Sequence, residues 1–482
     1  MKRLILKRML LTILIATSLT FTASAIPEKL STITSFEDLD PLVDLEVTVE
    51  IQKIRSLEKF EYPHPYIEKI DWNSDPDFYV KVFINGEEFE SNVWQDTKYI
   101  YDPQFSPTLN VPDEEEFVDI KIQLWDMNPS LDRLCDISGD TLREDVELTY
   151  SLKTGHWSGD DEISDVSGYG RLNGCDDGSI FKRDRDCEIW FNVYQNDYDG
   201  DGIPYWTEVN VYGTDPEIDN TGEDSDSDDI PIEWEWKWEY DPFESDNHDY
   251  LDPEHDGLNN VEEYLTSELD SDPFRGDVFV ELDQMEPSST GEESLLPEGS
   301  KELLKTAFAR YNIVFHLDDG SMGGGEMIPF DPSTPRDDLE IIYWNYFLHG
   351  DENNWRRGVF RYGIVVYEAG YAGYNFGGGA YQISSSRVNK KVFPKTQRTR
   401  DIAYASVYMH ELGHTLDINN PGVDDHRGKN PFQINWWKWG PYKSCMNYRY
   451  TYRLVDYSDG SRIRNDFNDW QQMDLTAFQW HW

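Results

Sequence analysis

The N-terminal part of the chain carries hydrophobic residues at alternate positions in several short runs. These runs are residues 45–51 (LEVTVEI), 78–84 (FYVKVFI) and 118–125 (VDIKIQLW), and polar turns with Pro and Gly separate them. A period of two places one side of a strand in a core and the other side toward water. The pattern predicts an all-β domain, a sandwich, over residues 26–195.

The pattern is mixed over residues 275–482. Residues 278–282 (VFVEL) and 313–317 predict strands, and residues 300–311 between them have the apolar spacing of a helix. A strand, a helix and a second strand are the opening of an α/β or α+β domain. Further strands and a further helix are predicted near residues 358–384 and 401–416.

Between these domains, residues 196–274 repeat one acidic pattern, in copies that start at Asp197, Asp224 and Asp252. An Asp-Pro pair follows each copy, at residues 215–216, 241–242 and 272–273. Positions 1, 3, 5, 7 (through its backbone carbonyl) and 12 of each copy have the ligand spacing of an EF-hand calcium loop. The predicted calcium ligands are Asp197, Asp199, Asp201, Ile203 and Glu208, then Asp224, Asp226, Asp228, Ile230 and Glu235, then Asp252, Glu254, Asp256, Leu258 and Glu263.

The three copies resemble the Asp-rich calcium repeats of thrombospondin type 3. The resemblance implies a calcium-stabilised segment, which we expect to be a stiff spacer between the outer domains. The second copy departs from the pattern, because Asp229 stands at position 6, where a sharp turn favours Gly. The alternative interpretation is a solvated acidic linker.

The charge of the chain narrows the classes of partner. Its 482 residues include 94 Asp and Glu against 42 Lys and Arg, a formal net charge of −52. This charge excludes nucleic acid, because phosphate contacts need clustered Lys and Arg. Calcium ligation, adaptation to high salt and disorder all produce acid-rich secreted chains, but an aromatic content of 14% argues against disorder. The regular placement of the acids favours calcium.

Residues 1–25 have the organisation of a secretion signal. Basic residues precede an apolar run at residues 9–21, and Ala23-Ser24-Ala25 is a cleavage site. The alternative is an uncleaved membrane anchor, although the run is shorter than the ~20 residues of a transmembrane helix. We therefore expect a secreted, extracellular protein.

Export permits disulfides. Cys175 and Cys187 flank a short segment that can close a hairpin, and we expect them to pair, with Cys135 and Cys445 free. Four cysteines allow three connectivities, and the sequence does not choose among them.

The predicted helix near residues 401–416 carries His410-Glu411-Leu412-Gly413-His414. Residues i and i+4 share one face of a helix, so His410 and His414 can hold one metal ion with Glu411 beside it. Zinc accepts imidazole nitrogens and lowers the pKa of water, and Glu411 is the candidate general base. The alternative is an exposed charged helix with incidental histidines.

Catalytic zinc usually takes three protein ligands, and no Glu follows Glu411 in the chain, which makes the peptidases with a downstream Glu ligand a poor match. Together with Ser444-Cys445-Met446-Asn447-Tyr448, the motif resembles the metzincins, which read HExxHxxGxxH before a Met-containing turn. The resemblance implies that Met446 lies beneath the metal and that Tyr448 reaches the zinc or the oxyanion. Weaker parts of the same resemblance are residues 275–283, residues 454–460 and a substrate-pairing edge strand near Gly379.

The third zinc ligand stays open in the sequence. Asp417 stands where the metzincin pattern has its turn Gly, and Asn420 stands where it has its third His. Asp can adopt the left-handed conformation that Gly takes. Asp424, in the loop that follows, is our first choice of ligand, and His426, Asp417 and Asn420 are the alternatives.

Two stretches of the N-terminal region, residues 75–82 and 124–128, resemble the strand entry and the third calcium loop of C2 domains. The resemblance covers about residues 44–150, and Asn128 replaces a usual Asp. It implies contact of the loops with a membrane, a protein or the cell envelope, and calcium ligation by Asp77, Asp126 and Asp132. The alternative is a plain sandwich with aspartates in its turns.

These expectations combine into a secreted zinc-dependent endopeptidase that cleaves protein or peptide substrates and has calcium-stabilised accessory domains. The rival hypothesis is a non-catalytic, calcium-dependent adhesive or cell-envelope protein with a degenerate protease fold. The sequence does not identify the substrate, because the residues of a substrate pocket are scattered along a chain.

Overall fold

A computed structural model describes residues 45–59, 70, 74–178, 185–420, 423, 430–462 and 464–481. The predicted secretion signal at residues 1–25 lies outside the described residues, and so do Asp424 and His426 of the predicted zinc loop. Among the described residues, no helix combines the length and the apolar character that a bilayer span requires.

The N-terminal region folds as two packed antiparallel sheets, as the alternation predicts. Its strands are β1 (Glu46–Ser56), β2 (Phe78–Ile84), β3 (Glu87–Glu90), β4 (Tyr99–Ile100), β5 (Thr108–Asn110), β6 (Phe117–Asp126), β7 (Arg133–Cys135), β8 (Val146–Ser151), β9 (Trp157–Gly159), β10 (Arg171–Asn173) and β11 (Cys187–Gln195). One sheet has the order β10-β11-β1-β4 with β5 also on β1, and the other has the order β3-β2-β6-β8-β9 with β7 on β6. Val49, Val80 and Ile122 belong to one buried core that both sheets share.

The acidic copies fold as loops that each lead into a short helix. The helices are α1 (Tyr205–Thr207), which continues as a π-helical turn (Glu208–Tyr212), α2 (Ile232–Lys237) and α3 (Asn260–Leu265), with 3-10 turns at His248–Tyr250 and Ser267–Leu269. Ile230, Trp234 and Trp238 form a small buried cluster, and Tyr169 of the sandwich packs against it. The acid-rich region therefore has its own apolar contacts and lies against the sandwich.

The C-terminal region is built on a mixed sheet. Its strands are β12 (Asp277–Met285), β13 (Val314–Asp318), β14 (Met327–Ile328), β15 (Phe360–Val366), β16 (Gly373–Gly377) and β17 (Ala380–Ser384). The order is β13-β12-β15-β17-β16, with β14 also on β12, and all pairs are parallel except β16 on β17. Every residue of β12 is buried, as expected for a parallel strand covered on both faces.

Helices cover both faces of this sheet. The first is α4 (Glu298–Ala309), which confirms the predicted strand–helix–strand opening. The others are α5 (Arg336–Ile342) with a π-helical turn (Tyr343–Phe347), α6 (Arg356–Val359), α7 (Ser385–Asn389), α8 (Gln397–Thr415), α9 (Ile434–Lys438), α10 (Asp469–Gln472) and a 3-10 helix (Leu475–His481). Leu304 of α4 and Val407 of α8 share one core with Val280, and Leu339 of α5 lies in a second core with Ile364.

The expectation of a spacer that separates the outer domains needs correction, because the sandwich contacts the C-terminal region directly. The Asn173 side-chain amide donates to the Ala309 carbonyl at 2.8 Å, and Arg55 pairs with Glu302 at 2.9 Å. The described residues form one compact unit. The acid-rich loops therefore lie beside an existing interface and do not hold two bodies apart.

The expected Cys175–Cys187 pair is also wrong. None of the four cysteines is in a disulfide, and all four are buried. Cys187 is the neighbour of Cys135, and the Cys175 thiol lies 3.5 Å from the Asp186 carboxylate. Cys135 and Cys187 are neighbours because the backbone bridge between Asp136 and Asp186 brings the residues next to it together.

Leu282 tests the packing of β12, because its side chain is fully buried in the core under α4 and α8. We expect Leu282→Ala to lower the free energy of unfolding by about 2–5 kcal/mol, since it leaves a cavity. Leu142 is 90% exposed, and Leu142→Ala should change stability by less than about 0.5 kcal/mol. Urea denaturation of both variants measures the difference, and equal effects would contradict the assignment of this core.

Candidate functional site

Helix α8 presents the His410 and His414 side chains one turn apart. A capping box between Thr396 and Thr399 starts the helix, and Ala403 belongs to its buried face. The two imidazole rings have centroids 5.0 Å apart and planes at 89°. The structure thus brings together the two nitrogen donors that the motif predicts.

Hydrogen bonding decides which nitrogen of His410 carries the proton. Its Nδ1 lies 2.9 Å from the Cys445 carbonyl oxygen, which can only accept. The proton is therefore on Nδ1 and the lone pair on Nε2, as in metal-binding histidines that an outer carbonyl orients. Burial, and then the neighbouring His414, lower the pKa of His410 to about 3, and burial also lowers the pKa of His414. Both imidazoles are therefore neutral, which is the form that binds metals.

Met446 lies directly against the turn of α8 between the two histidines. A Cβ atom added to Gly413 would stand 2.6 Å from the Met446 sulfur, so a larger residue at this helix position would have to displace the Met446 side chain. Met446 is buried, and the Tyr457 hydroxyl donates to the Met409 carbonyl at 2.7 Å on the same side of the helix. The Met-containing turn therefore packs against the segment of α8 that carries the two histidines.

Glu411 points toward the edge strand of the sheet. A side chain at Gly373, the first residue of β16, would overlap the Glu411 carboxylate. The centroids of the Tyr448 and His410 rings are 5.5 Å apart. Burial, followed by the charges of Glu411 and Tyr448, raises the pKa of Tyr452 to about 12. Sequence reasoning missed Gly373 and Tyr452. It expected Gly379-Ala380 to lie near the edge strand, and they do, since β16 ends at Gly377 and Gly379 lies in the turn before β17.

Two of the third-ligand candidates have other contacts in the structure. Asp417 is exposed, has a φ of 53° and accepts a hydrogen bond from the Asn419 amide at 2.7 Å. This confirms the left-handed conformation that the sequence predicts at this position. The Asn420 amide is buried and donates to the Tyr442 hydroxyl and to Asp469, at 2.7 and 2.8 Å. Both residues shape the turn that follows α8.

The acid-rich loops bring most of their predicted side-chain ligands together. Ligand oxygens lie within 4.8 Å of one another in the sets Asp197, Asp199 and Glu208, then Asp224, Asp226 and Asp228, then Asp252, Glu254 and Asp256. Ligands at 2.3–2.6 Å from one calcium ion are at most ~5 Å apart, so this spacing suits calcium. Several of these buried oxygens accept no hydrogen bond from the described residues, namely both carboxylate oxygens of Asp226, Glu235, Glu254 and Glu263, with Oδ2 of Asp199 and Oε2 of Glu208. A buried carboxylate without partners is costly unless a cation or a proton neutralises it.

Asp229 does not prevent the second loop from adopting the shape of the other two. Position 6 has a φ of 91° at Gly202, 76° at Asp229 and 96° at Gly257. The position-5 aspartates also share a contact, since each accepts a backbone N–H from the residue five positions after the Asp of its Asp-Pro pair. The donor and acceptor pairs are Asn220 to Asp201 at 3.3 Å, Asp246 to Asp228 at 2.9 Å and Asp277 to Asp256 at 2.7 Å. The three loops are therefore structural repeats.

Sequence reasoning missed two groups that join these loops. The His248 Nε2 lies 3.3 Å from Asp228 and 3.7 Å from Glu235, and the ring is buried. Asp277, the first residue of β12, joins Asp256 and Glu263. The constant offset from the Asp-Pro pairs was a signal for Asp277, whereas His248 has no counterpart in the other copies.

The predicted calcium ligands of the sandwich accept hydrogen bonds from protein donors. Asp126 accepts from the Asp77 backbone N–H at 3.0 Å and from the Asn128 side-chain amide at 2.7 Å. Asp132 accepts from the Tyr79 hydroxyl at 3.1 Å. The three residues do meet at one end of the sandwich, as predicted, and calcium binding there stays a prediction.

No protein-family model matches the chain, and no curated protein matches it. Among solved structures, a C2 domain has a TM-score of 0.19 and 11% identity over 31% of this chain and 97% of that chain. The calcium-bound tandem C2 domains of Extended-Synaptotagmin 2 have a TM-score of 0.19 and 9% identity over 32% of this chain and 46% of that one. Human GIVD cytosolic phospholipase A2 has a TM-score of 0.18 and 13% identity over 32% of this chain and 16% of that one. The similarity to C2 domains concerns about a third of this chain.

The pKa values of two carboxyl groups in the first loop predict how the stability of the fold depends on pH when calcium is absent. Burial raises the pKa of Glu208 from 4.5 to about 7 and that of Asp201 from 3.8 to about 6. The folded, metal-free chain therefore holds protons that the unfolded chain has lost, so stability falls as pH rises through this window.

With a calcium chelator present, we expect the midpoint of thermal unfolding to decrease between about pH 4 and about pH 7, the range that separates the unfolded from the folded pKa values. Saturating calcium should remove or reverse the trend, because the ion needs ionised ligands. Differential scanning calorimetry with chelator and with calcium makes the comparison. Identical pH profiles in the two conditions would contradict a cation site in the loops.

Proposed function

We propose that the protein is a secreted zinc-dependent endopeptidase whose accessory region binds calcium. The observation that carries the proposal is the pair of neutral imidazoles on α8, of which His410 is buried and has its Nδ1 bonded to the Cys445 carbonyl. Zinc bound between His410 and His414 would lower the pKa of a water molecule and polarise a peptide carbonyl. The packing of Met446 on Gly413 supports the metzincin resemblance of this region.

Glu411 is the general base in this proposal. It lies on the turn of α8 that carries the two histidines, and its carboxylate lies against the start of β16. From there it would take a proton from water and return it to the leaving amine. Strand β16 is an antiparallel edge of the sheet, and an extended peptide can add to such an edge as a further strand. This arrangement would hold the substrate backbone next to Glu411.

Tyr448 is the proposed donor to the oxyanion. Its ring lies against the His410 ring, with centroids 5.5 Å apart, which places this residue at the histidine site. A donor aimed at the charge that develops on the carbonyl oxygen lowers the barrier of acyl transfer. For the third zinc ligand we keep Asp424, with His426 next, because Asp417 and Asn420 make other contacts.

The calcium part of the proposal rests on the three acidic loops. Their oxygens have the spacing and the chemistry of a hard-cation site, and several are buried without donors among the described residues. The high free calcium of an extracellular location would keep weak sites filled. Calcium-dependent contact of the sandwich with a membrane or a cell envelope is the corresponding proposal for Asp77, Asp126 and Asp132.

The second candidate function is a non-catalytic, calcium-dependent adhesive or envelope protein. One observation favours it: the clustered carboxylates of the three acidic loops suit calcium and require no peptidase activity. A protein of this kind would bind calcium, and it would not cleave peptides.

Glu411→Gln separates the two candidates. We expect the variant to retain zinc and to lose casein cleavage by at least about 10²-fold, because the amide cannot accept a proton. Glu352 is exposed, and Glu352→Gln is the matched control with unchanged activity. His410→Ala should lose the zinc as measured by mass spectrometry. Cleavage by Glu411→Gln at the wild-type rate would contradict the assigned base, and zinc-loaded wild type without proteolysis would favour the adhesive protein.

Tyr448→Phe tests the oxyanion donor. We expect kcat to decrease by about 10²-fold with zinc content unchanged, because one hydrogen bond to the transition state is lost. A quenched fluorescent peptide assay gives kcat and KM separately. If KM rose while kcat stayed constant, Tyr448 would bind substrate and would not stabilise the transition state.

A further inference from the structure

The third acidic loop ends on the first strand of the C-terminal sheet. Asp277 starts β12, and its backbone N–H donates to the Asp256 carboxylate at 2.7 Å. Carboxylate oxygens of Asp256, Glu263 and Asp277 lie within 4.8 Å of one another, and all three residues are at most 2% exposed. One residue of the sheet therefore belongs to the same cluster as positions 5 and 12 of the loop.

Glu263 points into this cluster without a partner. Neither of its carboxylate oxygens accepts a hydrogen bond from the described residues, although the residue is 1% exposed. The Ser271 hydroxyl donates to the Glu263 backbone carbonyl at 2.8 Å. Both oxygens of Glu254 are likewise without donors among the described residues. A buried carboxylate in this condition requires a cation or a proton.

The positive groups nearby approach Asp277 from the side of the sheet. His316 Nε2 lies 2.8 Å from the Asp277 carboxylate, and Arg275 Nη2 lies 3.4 Å from the same Oδ1. Arg275 interacts with Asp277, and the buried Arg361 interacts with Asp256. Within the part of the chain that the structure describes, two guanidinium groups therefore stand against four carboxyl groups, those of Glu254, Asp256, Glu263 and Asp277. The cluster keeps an excess of negative charge that a divalent cation would neutralise.

All the candidate donors are oxygens. Carboxylate and carbonyl oxygens without nitrogen or sulfur favour calcium over zinc or copper. A calcium ion takes six to eight oxygens at 2.3–2.6 Å, so oxygens up to ~5 Å apart can share one ion. The third loop alone supplies a carbonyl at Leu258 and the carboxylates of positions 1, 3, 5 and 12.

We propose that Asp277 is a ligand of the third calcium ion, so that this ion joins the acid-rich region to the peptidase sheet. Strand β12 pairs with β13, β14 and β15, which are three of the other five strands of the sheet. Calcium at this site fixes the start of β12, and its removal loosens the sheet from that end. The inference rests on the calcium-binding loops of the proposed function and does not depend on peptidase activity.

The test compares Asp277→Asn with the control Asp337→Asn in the full chain. Asp337 is an exposed acid at the start of α5. Isothermal titration with calcium alone should show one site weakened by at least about tenfold in Asp277→Asn and none in the control. Hydrogen exchange should show that calcium protects residues 277–285 in the wild type and in the control, and that the protection is lost in Asp277→Asn.

A second variant covers the case in which Asp277→Asn does not fold. Glu263→Gln removes one ligand and keeps the contacts of Asp277 with His316 and Arg275. It should weaken the same calcium site and remove the same protection. Unchanged calcium affinity in Asp277→Asn, or lost calcium in Glu263→Gln with full protection of β12, would overturn the inference while the other loops still bind calcium. A wild type that binds no calcium would instead refute the loops themselves.

Discussion

Mutual repulsion of buried carboxylates is the constraint on which the arrangement of this protein depends. The chain carries 94 acidic residues, and many of those in the acid-rich loops are buried beside an interface between two large domains. Buried charges of one sign cannot remain together without protons or cations. In the metal-free chain the pKa values of Glu208, Asp201 and Glu263 are raised, first by burial and also by the charges of neighbouring carboxylates. Calcium would convert the same oxygens from a source of repulsion into a set of crosslinks.

The histidine site is built on a different principle. Its two imidazoles are neutral, and contacts with neighbouring residues fix their positions. Gly413 lets the Met446 sulfur approach the helix, and the Cys445 carbonyl orients His410. These contacts come from a turn more than thirty residues away along the chain, so the geometry of the two imidazoles depends on the folding of the entire C-terminal region.

Several strands and helices could be predicted from the local pattern of hydrophobic and polar residues. Residues 78–84 form β2 with the predicted limits, because an alternating pattern of side chains indicates a strand without information from the rest of the chain. The helix predicted at residues 401–416 is α8, at Gln397–Thr415, and its first turn was missed because the capping box of Thr396 and Thr399 lacks the usual Glu. The expected Cys175–Cys187 pair failed because proximity in sequence is a weak guide to which strands align.

The sequence by itself determined the period of each strand, the register of the acidic copies and the placement of two histidines on one helical face. Each of these follows from spacing within about a dozen residues, where the backbone geometry of helix, strand or loop is enough. Only the tertiary structure decided that Asp277 meets Glu263, that Gly373 faces Glu411 and that the sandwich touches the C-terminal region. Those contacts join segments distant in sequence, and they form because burying their shared apolar surfaces outweighs the entropy of closing the chain between them.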